Sequence, residues 1–220
     1  MERTETGEHE MTPKNPTHSP RTRGKSRMVF KFGTNETDVH IVWFKGKHAI
    51  VRPRYVPQTY MHISRKLAVQ DYAMHRIFHL LFPHNALNPL GVTKIKTNSG
   101  EHYGMATAVA RNRSPDYKKF QNWHYTGRHW GTIGYDNSAI ERHKSFAAQI
   151  GVPLARQITS KTGIHLNIHP VNINMTNSAD PVFFEVASID THKLRQYIAK
   201  ESLPRKTTQE IDRLLRVLED

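Results

Sequence analysis

The chain has 220 residues, a formal net charge of +13, fifteen histidines and no cysteine. That length suffices for one domain or two small lobes with a core. The missing cysteines exclude disulfides, thiolate chemistry and cysteine-based zinc sites. Mean hydropathy is −0.65 and the pI about 10.0. No apolar run approaches the ~20 residues of a membrane span, and Met1 to Glu5 lack the apolar core of a secretory signal. A cytoplasmic protein with no membrane partner is therefore expected. The basic balance fits an anionic partner such as nucleotide phosphates or nucleic acid, although a charge excess usually coats a solvated face.

Residues 1–27 are polar and carry Pro13, Pro16 and Pro20. They cannot bury enough apolar surface to offset ordering, so a disordered basic tail is expected. Arg21, Arg23, Lys25 and Arg27 alternate at its end. Order is expected from Met28. MVFKFG reads as a strand running into Gly33, DVHIVW (38–43) as a second and HAIVR (48–52) as a third. The turns Thr34–Thr37 and Lys45–Lys47 make them an antiparallel meander.

Ile63–Phe82 reads as a helix, with Leu67, Tyr72, Met74, Ile77, Phe78 and Leu81 at three- and four-residue steps, stopped by Pro83 and Asn85. Gly91–Lys96 and His102–Ala110 form a hairpin around Asn98-Ser99-Gly100. Arg111–Asn137 reads as irregular and basic, with Tyr117, Phe120, Trp123, Tyr125, Trp130 and Tyr135 among Lys118, Lys119, Arg128 and His129. Aromatics interleaved with cations can stack bases or pin a long loop to the core, the reading preferred here.

Ser138 with Glu141 fits a capping box that starts a helix. Gly151 and Pro153 are expected to interrupt it, and a second stretch ends at Gly163. Val171–Met175 and Pro181–Val186 flank the turn Thr176–Asp180 as a hairpin. Thr191–Lys200 and Thr208–Leu218 are amphipathic, the latter starting at Thr-Thr-Gln-Glu.

The polar residues around that last hairpin are the candidate site: His165, Asn167, His169, Asn172 and Glu185. Asn172 follows Asn167 by five residues, and Glu185 lies thirteen further on, after Val182-Phe183-Phe184. His165 and His169 stand at a spacing that can bind metal on a helix. Pro170 and Gly163 argue against a helix here, and HLNIH lacks the glutamate of a zinc-protease motif. A histidine in such a turn more often bonds a backbone carbonyl than performs catalysis.

The order of meander, helix, hairpin, linker, helix, polar loop and hairpin, together with these spacings, resembles the protein-kinase fold. HPVNI is also similar to the loop of small-molecule kinases such as the aminoglycoside phosphotransferases. The resemblance spans about Met28 to Asp190. It implies an α+β, two-lobe fold: an antiparallel β N-lobe with one helix (28–110) and a minimal, mostly helical C-lobe (111–220). It implies ATP and Mg2+ as cofactors, with Asn172 and Glu185 as metal ligands. His48–Arg52 resembles the strand of the phosphate-pairing lysine, with Arg52 in its place. Gly33 stands where a glycine-rich loop would cover the phosphates, and Asp71 where the lysine's glutamate partner would be.

Asn167 stands where a kinase carries the aspartate that accepts the substrate proton. An amide cannot be that base. Transfer is then weak, or His165 or His169 substitutes, or the domain binds nucleotide without transferring phosphate. Little chain follows Glu185 and nothing resembles Ala-Pro-Glu, so peptide phosphorylation is not expected and the phosphate acceptor stays unnamed. The alternative from another class is a non-catalytic module that holds nucleic acid or a protein through the basic, aromatic stretch.

Overall fold

The computed structural model describes residues 27–30, 39–53, 55–56, 61–62, 64–97, 100–108, 113–124 and 136–220. The tail up to residue 26, Gly33 with the turn after it, and Tyr125, Arg128, His129, Trp130 and Tyr135 lie outside the described residues. Among the described residues, no helix is long and apolar enough to cross a membrane.

The fold is α+β. Strands β1 (Arg27–Phe30), β2 (Val39–Phe44) and β3 (Lys47–Pro53) form the meander. Lys45 and Gly46 close its second turn, both with positive φ, the primed geometry that matches strand twist. A minor hairpin follows, β4 (Tyr55–Val56) with β5 (Met61–His62). Strands β6 (Pro89–Thr97) and β7 (Gly100–Ala108) complete an antiparallel sheet of order β1-β2-β3-β7-β6. Alternation puts Val42, Ala49, Val51 and Ala106 on its buried face, with Phe44 and Leu90 packed against them, while Trp43 is exposed.

Helix α1 (Arg65–Leu81) separates the meander from the second hairpin. Ser64 caps it, its hydroxyl accepting from the Leu67 N–H at 3.3 Å, and the helix ends at Phe82, before Pro83. It buries Ala68, Ala73, His75, Ile77 and Phe78, whereas Leu67 stays exposed.

The expectation of an irregular 111–137 needs correcting. Helix α2 (Pro115–Asn122) lies within it, capped by Ser114, with Pro115 in its first turn and Asp116 at its positive end. Helix α3 (Asn137–Phe146) is capped by Asp136, not Ser138, whose hydroxyl instead donates to Asp136 at 2.7 Å. No break follows. A π-helical turn, Ala147–Gly151, leads directly into α4 (Val152–Thr162). Pro153 sits in the first turn of α4, and Gly151 lets the chain pass β9, since a Cβ there would lie 2.8 Å from Ile173 Cγ2. Gly163 ends α4 as expected, with φ of 76°.

After α4 come β8 (Ile164–Leu166), a 3-10 turn (Pro170–Asn172), β9 (Ile173–Met175), β10 (Pro181–Phe183) and β11 (Val186–Ile189). The expected hairpin is present but shorter. Its second run divides: β10 pairs with β9, and β11 leaves to pair with β8. Helix α5 (Thr191–Lys200) lies where the sequence placed it. Helix α6 (Arg205–Glu219) begins at Pro204 rather than at the Thr-Thr-Gln-Glu run.

The main core joins α1, α4, β8 to β10, α5 and α6 through Ile77, Phe78, Ile158, Ile164, Ile173, Phe183, Leu194, Ile211 and Leu215. Each such side chain contributes about 1.5–3 kcal/mol on burial. Helix α6 lies along α1, with Arg76 bonded to Glu210 at 2.7 Å and Lys66 Nζ to the Asp220 carbonyl at 2.7 Å.

Candidate functional site

The division of the second run is what builds the site. Glu185 stands where the chain passes from β10 to β11. Its carbonyl accepts from the Asn167 N–H at 3.1 Å, and the Phe184 N–H donates to the Asn172 carbonyl at 2.9 Å. Those two bonds join the segment around Glu185 to both ends of the loop after β8.

The side chains then converge. Glu185 Oε2 accepts from Asn167 Nδ2 at 2.9 Å and from Asn172 Nδ2 at 3.1 Å. Asn167 Oδ1 accepts from the His169 N–H at 3.0 Å, an Asx turn that fixes the amide. His169 Nδ1 accepts from the Val171 N–H at 3.4 Å, which leaves the ring proton on Nε2. The His169 ring is exposed and lies 5.3 Å from that of His124. His165 is exposed on β8 between buried Ile164 and Leu166. Strand alternation therefore turns it away from the core.

Of the other sequence candidates, Asp71 is on α1 and half-buried. Arg52 lies on β3 opposite Met105, and its side chain is outside the description, as is Gly33 altogether. The structure thus brings together Asn167, His169, Asn172 and Glu185.

Two supporting residues, His75 and His143, escaped the sequence reading, while a third, Tyr117, is one of the aromatics expected to pin the 111–137 stretch to the core and is buried there. His75, buried on α1, accepts the Val186 N–H on Nε2 at 3.2 Å, so its proton is on Nδ1 and faces the Asp71 carbonyl at 2.9 Å. One carboxylate oxygen of Asp71 is 3.5 Å from that same nitrogen. The imidazole therefore ties α1 to the residue after Glu185. A histidine inside an apolar stripe needs a buried partner, and that was the available signal. Tyr117 and His143 hold the loop from the other side. The Tyr117 hydroxyl donates to the Val171 carbonyl at 2.9 Å, and His143 Nε2 bonds the Pro170 carbonyl at 3.0 Å. Both residues are fully buried. Burial holds the His143 imidazole below its ordinary pKa.

Tyr117, Phe120, Ile140 and Val171 form a small core with Trp123 and Phe184 at its margin. Tyr117 and Phe120 are therefore packed inside and not available to stack on bases. Helices α2 and α3 are tied together by Arg142, which bonds both Asp116 oxygens at 2.8 Å, and by Lys119 to Asp136 at 2.6 Å. The Arg142 and Lys119 hydrogen bonds hold these carboxyls below the usual carboxylate range.

The donor set is one carboxylate flanked by two amides, both of which turn their nitrogen to it. Among the described residues, no cluster of three or more His, Asp or Glu could hold a metal ion. The set therefore does not make an all-protein cage. A half-turn of the Asn172 amide would offer Oδ1 in place of Nδ2. No protein-family model matches the sequence, and no curated protein matches it.

Proposed function

We propose that the protein is a kinase-like binder of ATP and Mg2+ in which phosphoryl transfer is impaired. The observation that carries this reading is the meeting of Asn167, Asn172 and Glu185 on one carboxylate oxygen, at 2.9 and 3.1 Å. Residues thirteen and eighteen positions apart meet there with the spacing of a kinase loop. The antiparallel sheet with one helix before its second hairpin agrees with the order of elements in a kinase N-lobe.

In this reading the two lobes are 28–110 and 111–220, and nucleotide lies between the sheet and the loop. Asn172 and Glu185 would hold the metal, Arg52 would contact phosphate, and the turn at Gly33 would lie over it. Asp71 takes the place of the acidic partner on α1. When bound, MgATP supplies the activated phosphoryl group and neutralises its charge. The chain supplies position and polarity. It does not supply a base at residue 167, because an amide takes no proton at neutral pH. His169 would not replace it while its Nδ1 accepts from the Val171 N–H.

Thermal-shift titration with ATP and Mg2+ tests this reading. At a hundredfold excess over Kd a ligand adds about 2.7 kcal/mol, or roughly 5–11 °C in a chain of this size. The Mg2+-dependent part is expected to vanish in Glu185→Ala. A wild type that ATP and Mg2+ leave unshifted would refute the proposal.

A further inference from the structure

We propose that the α2–α3 helix pair sets the position of Asn172, with Tyr117 and His143 as its positioning residues. This rests on the reading of Asn172 as a ligand of nucleotide-bound Mg2+. Two consecutive carbonyls, those of Pro170 and Val171, immediately precede Asn172. Each receives a side-chain donor from a different helix: His143 of α3 at 3.0 Å and Tyr117 of α2 at 2.9 Å. Both donors are fully buried, so water cannot readily take over their role.

Asn172 is then held on its remaining sides. Its N–H bonds the His169 carbonyl at 2.8 Å, its carbonyl accepts from Phe184, and its side chain ends on Glu185. The frame behind it is itself braced, since Arg142 grips both oxygens of Asp116 across the two helices. The amide of Asn172 thus has little freedom except rotation about its own terminal bond. That rotation exchanges nitrogen for oxygen toward Glu185. Packing alone would be served equally by phenylalanine at 117 and 143. The placement of a hydroxyl and an imidazole N–H on adjacent carbonyls is what packing leaves unexplained.

The test uses the full chain with Tyr117→Phe, His143→Phe and His143→Gln, and two readouts. The first is the Mg2+ concentration at half of the ATP-dependent thermal stabilisation. The second, which needs no nucleotide, is the NMR signal of the Asn172 side-chain amide. Each phenylalanine variant is expected to raise the Mg2+ midpoint about tenfold, the ratio given by one net hydrogen bond of ~1.4 kcal/mol. It is also expected to shift the Asn172 amide signals. His143→Gln, whose amide nitrogen can donate to the Pro170 carbonyl, is expected to restore both. A purely structural role would lower the melting temperature and leave midpoint and signals where they were, and that result overturns the proposal. If the wild type shows no Mg2+ response at all, the nucleotide reading fails, while the amide signals still decide whether the helix pair positions Asn172.

Discussion

Asn167→Asp puts a second carboxylate where an amide now donates. Asn167 Nδ2 is 2.9 Å from Glu185 Oε2, and the pair is partly buried. The substitution removes that hydrogen bond and sets two like charges in contact. At ~4 Å and an effective dielectric constant near 20 they repel by about 4 kcal/mol. Both side chains have some access to water and can rotate apart, so a loss of roughly 2 kcal/mol at pH 8 is the expected remainder after screening. In a chain of this size, that lowers Tm by about 4–8 °C. The pH dependence has a definite sign. Mutual repulsion raises the pair's affinity for a proton above that of an unfolded carboxylate, near pH ~4. The shared proton restores a hydrogen bond at low pH, so the variant is expected to match wild type there. The penalty grows as pH rises through the raised pKa. Mg2+ is expected to relieve it, because a cation between the oxygens replaces the proton. Differential scanning fluorimetry at pH 5 and pH 8, with and without Mg2+, reads this directly, and radiolabel transfer from ATP is measured in parallel. The variant is expected to gain transfer, since a carboxylate at 167 can accept a proton. A Tm equal to wild type at pH 8, or a deficit identical at both pH values, would refute the contact between 167 and 185. Unchanged transfer with MgATP bound would refute the reading of Asn167 as a lost base.

His75→Leu leaves the buried Val186 N–H without its acceptor, and is expected to cost about 1–3 kcal/mol in urea unfolding. Hydrogen exchange at Val186 should quicken, and an amide as protected as in wild type would contradict the proposed tie. His143 is held below its usual pKa by burial. The unfolded chain therefore protonates first, and stability is complete above about pH 6.5 and declines as pH falls below it. His143→Gln should flatten that part of the pH profile, and a slope unchanged between pH 7 and pH 5 would assign it elsewhere. Gly151→Ala drives a Cβ to 2.8 Å from Ile173 Cγ2, for an expected loss of about 1–3 kcal/mol. A double-mutant cycle with Ile173→Ala should show coupling, and strict additivity would mean that the π-turn shifts freely.

What was legible in the sequence was what is specified locally. Helix α1, the stop at Gly163 and helix α5 follow from periodicity and caps. The five- and thirteen-residue spacings suggested, through the kinase resemblance, that Asn172 and Glu185 meet; they do, although Glu185 lies beyond the hairpin's second strand. Helix α2 was hidden by its aromatics and lysines, although Ser114-Pro115-Asp116 carries a cap, a first-turn proline and a first-turn acid. The break expected at Gly151 and Pro153 is absent because a π-helical turn, with the Val152 N–H bonded to the Ala147 carbonyl, carries the helix on to the proline. The run from Val182 to Val186 is continuously apolar except at Glu185. Its division into two strands depends on β8, some twenty residues away, and local pattern cannot express that. Tyr117, His143 and His75 act on residues 27 to 111 positions distant. Their roles exist only once the core has assembled.

The residues at 167 and 185 are best understood as a pair. A carboxylate that accepts two amide N–H groups has its charge partly satisfied by the protein. The loop can therefore close around Glu185 with no cation present. An aspartate at 167 would make the same closure depend on a cation or a shared proton. The amide removes that dependence, and it cannot accept a proton in return. It also sets the terms on which a cation can bind. To gain Oδ1 of Asn172 and Glu185 Oε2 as ligands, a cation must first displace an amide hydrogen bond of 3.1 Å. Whatever a cation gained there would be offset by the bond it breaks.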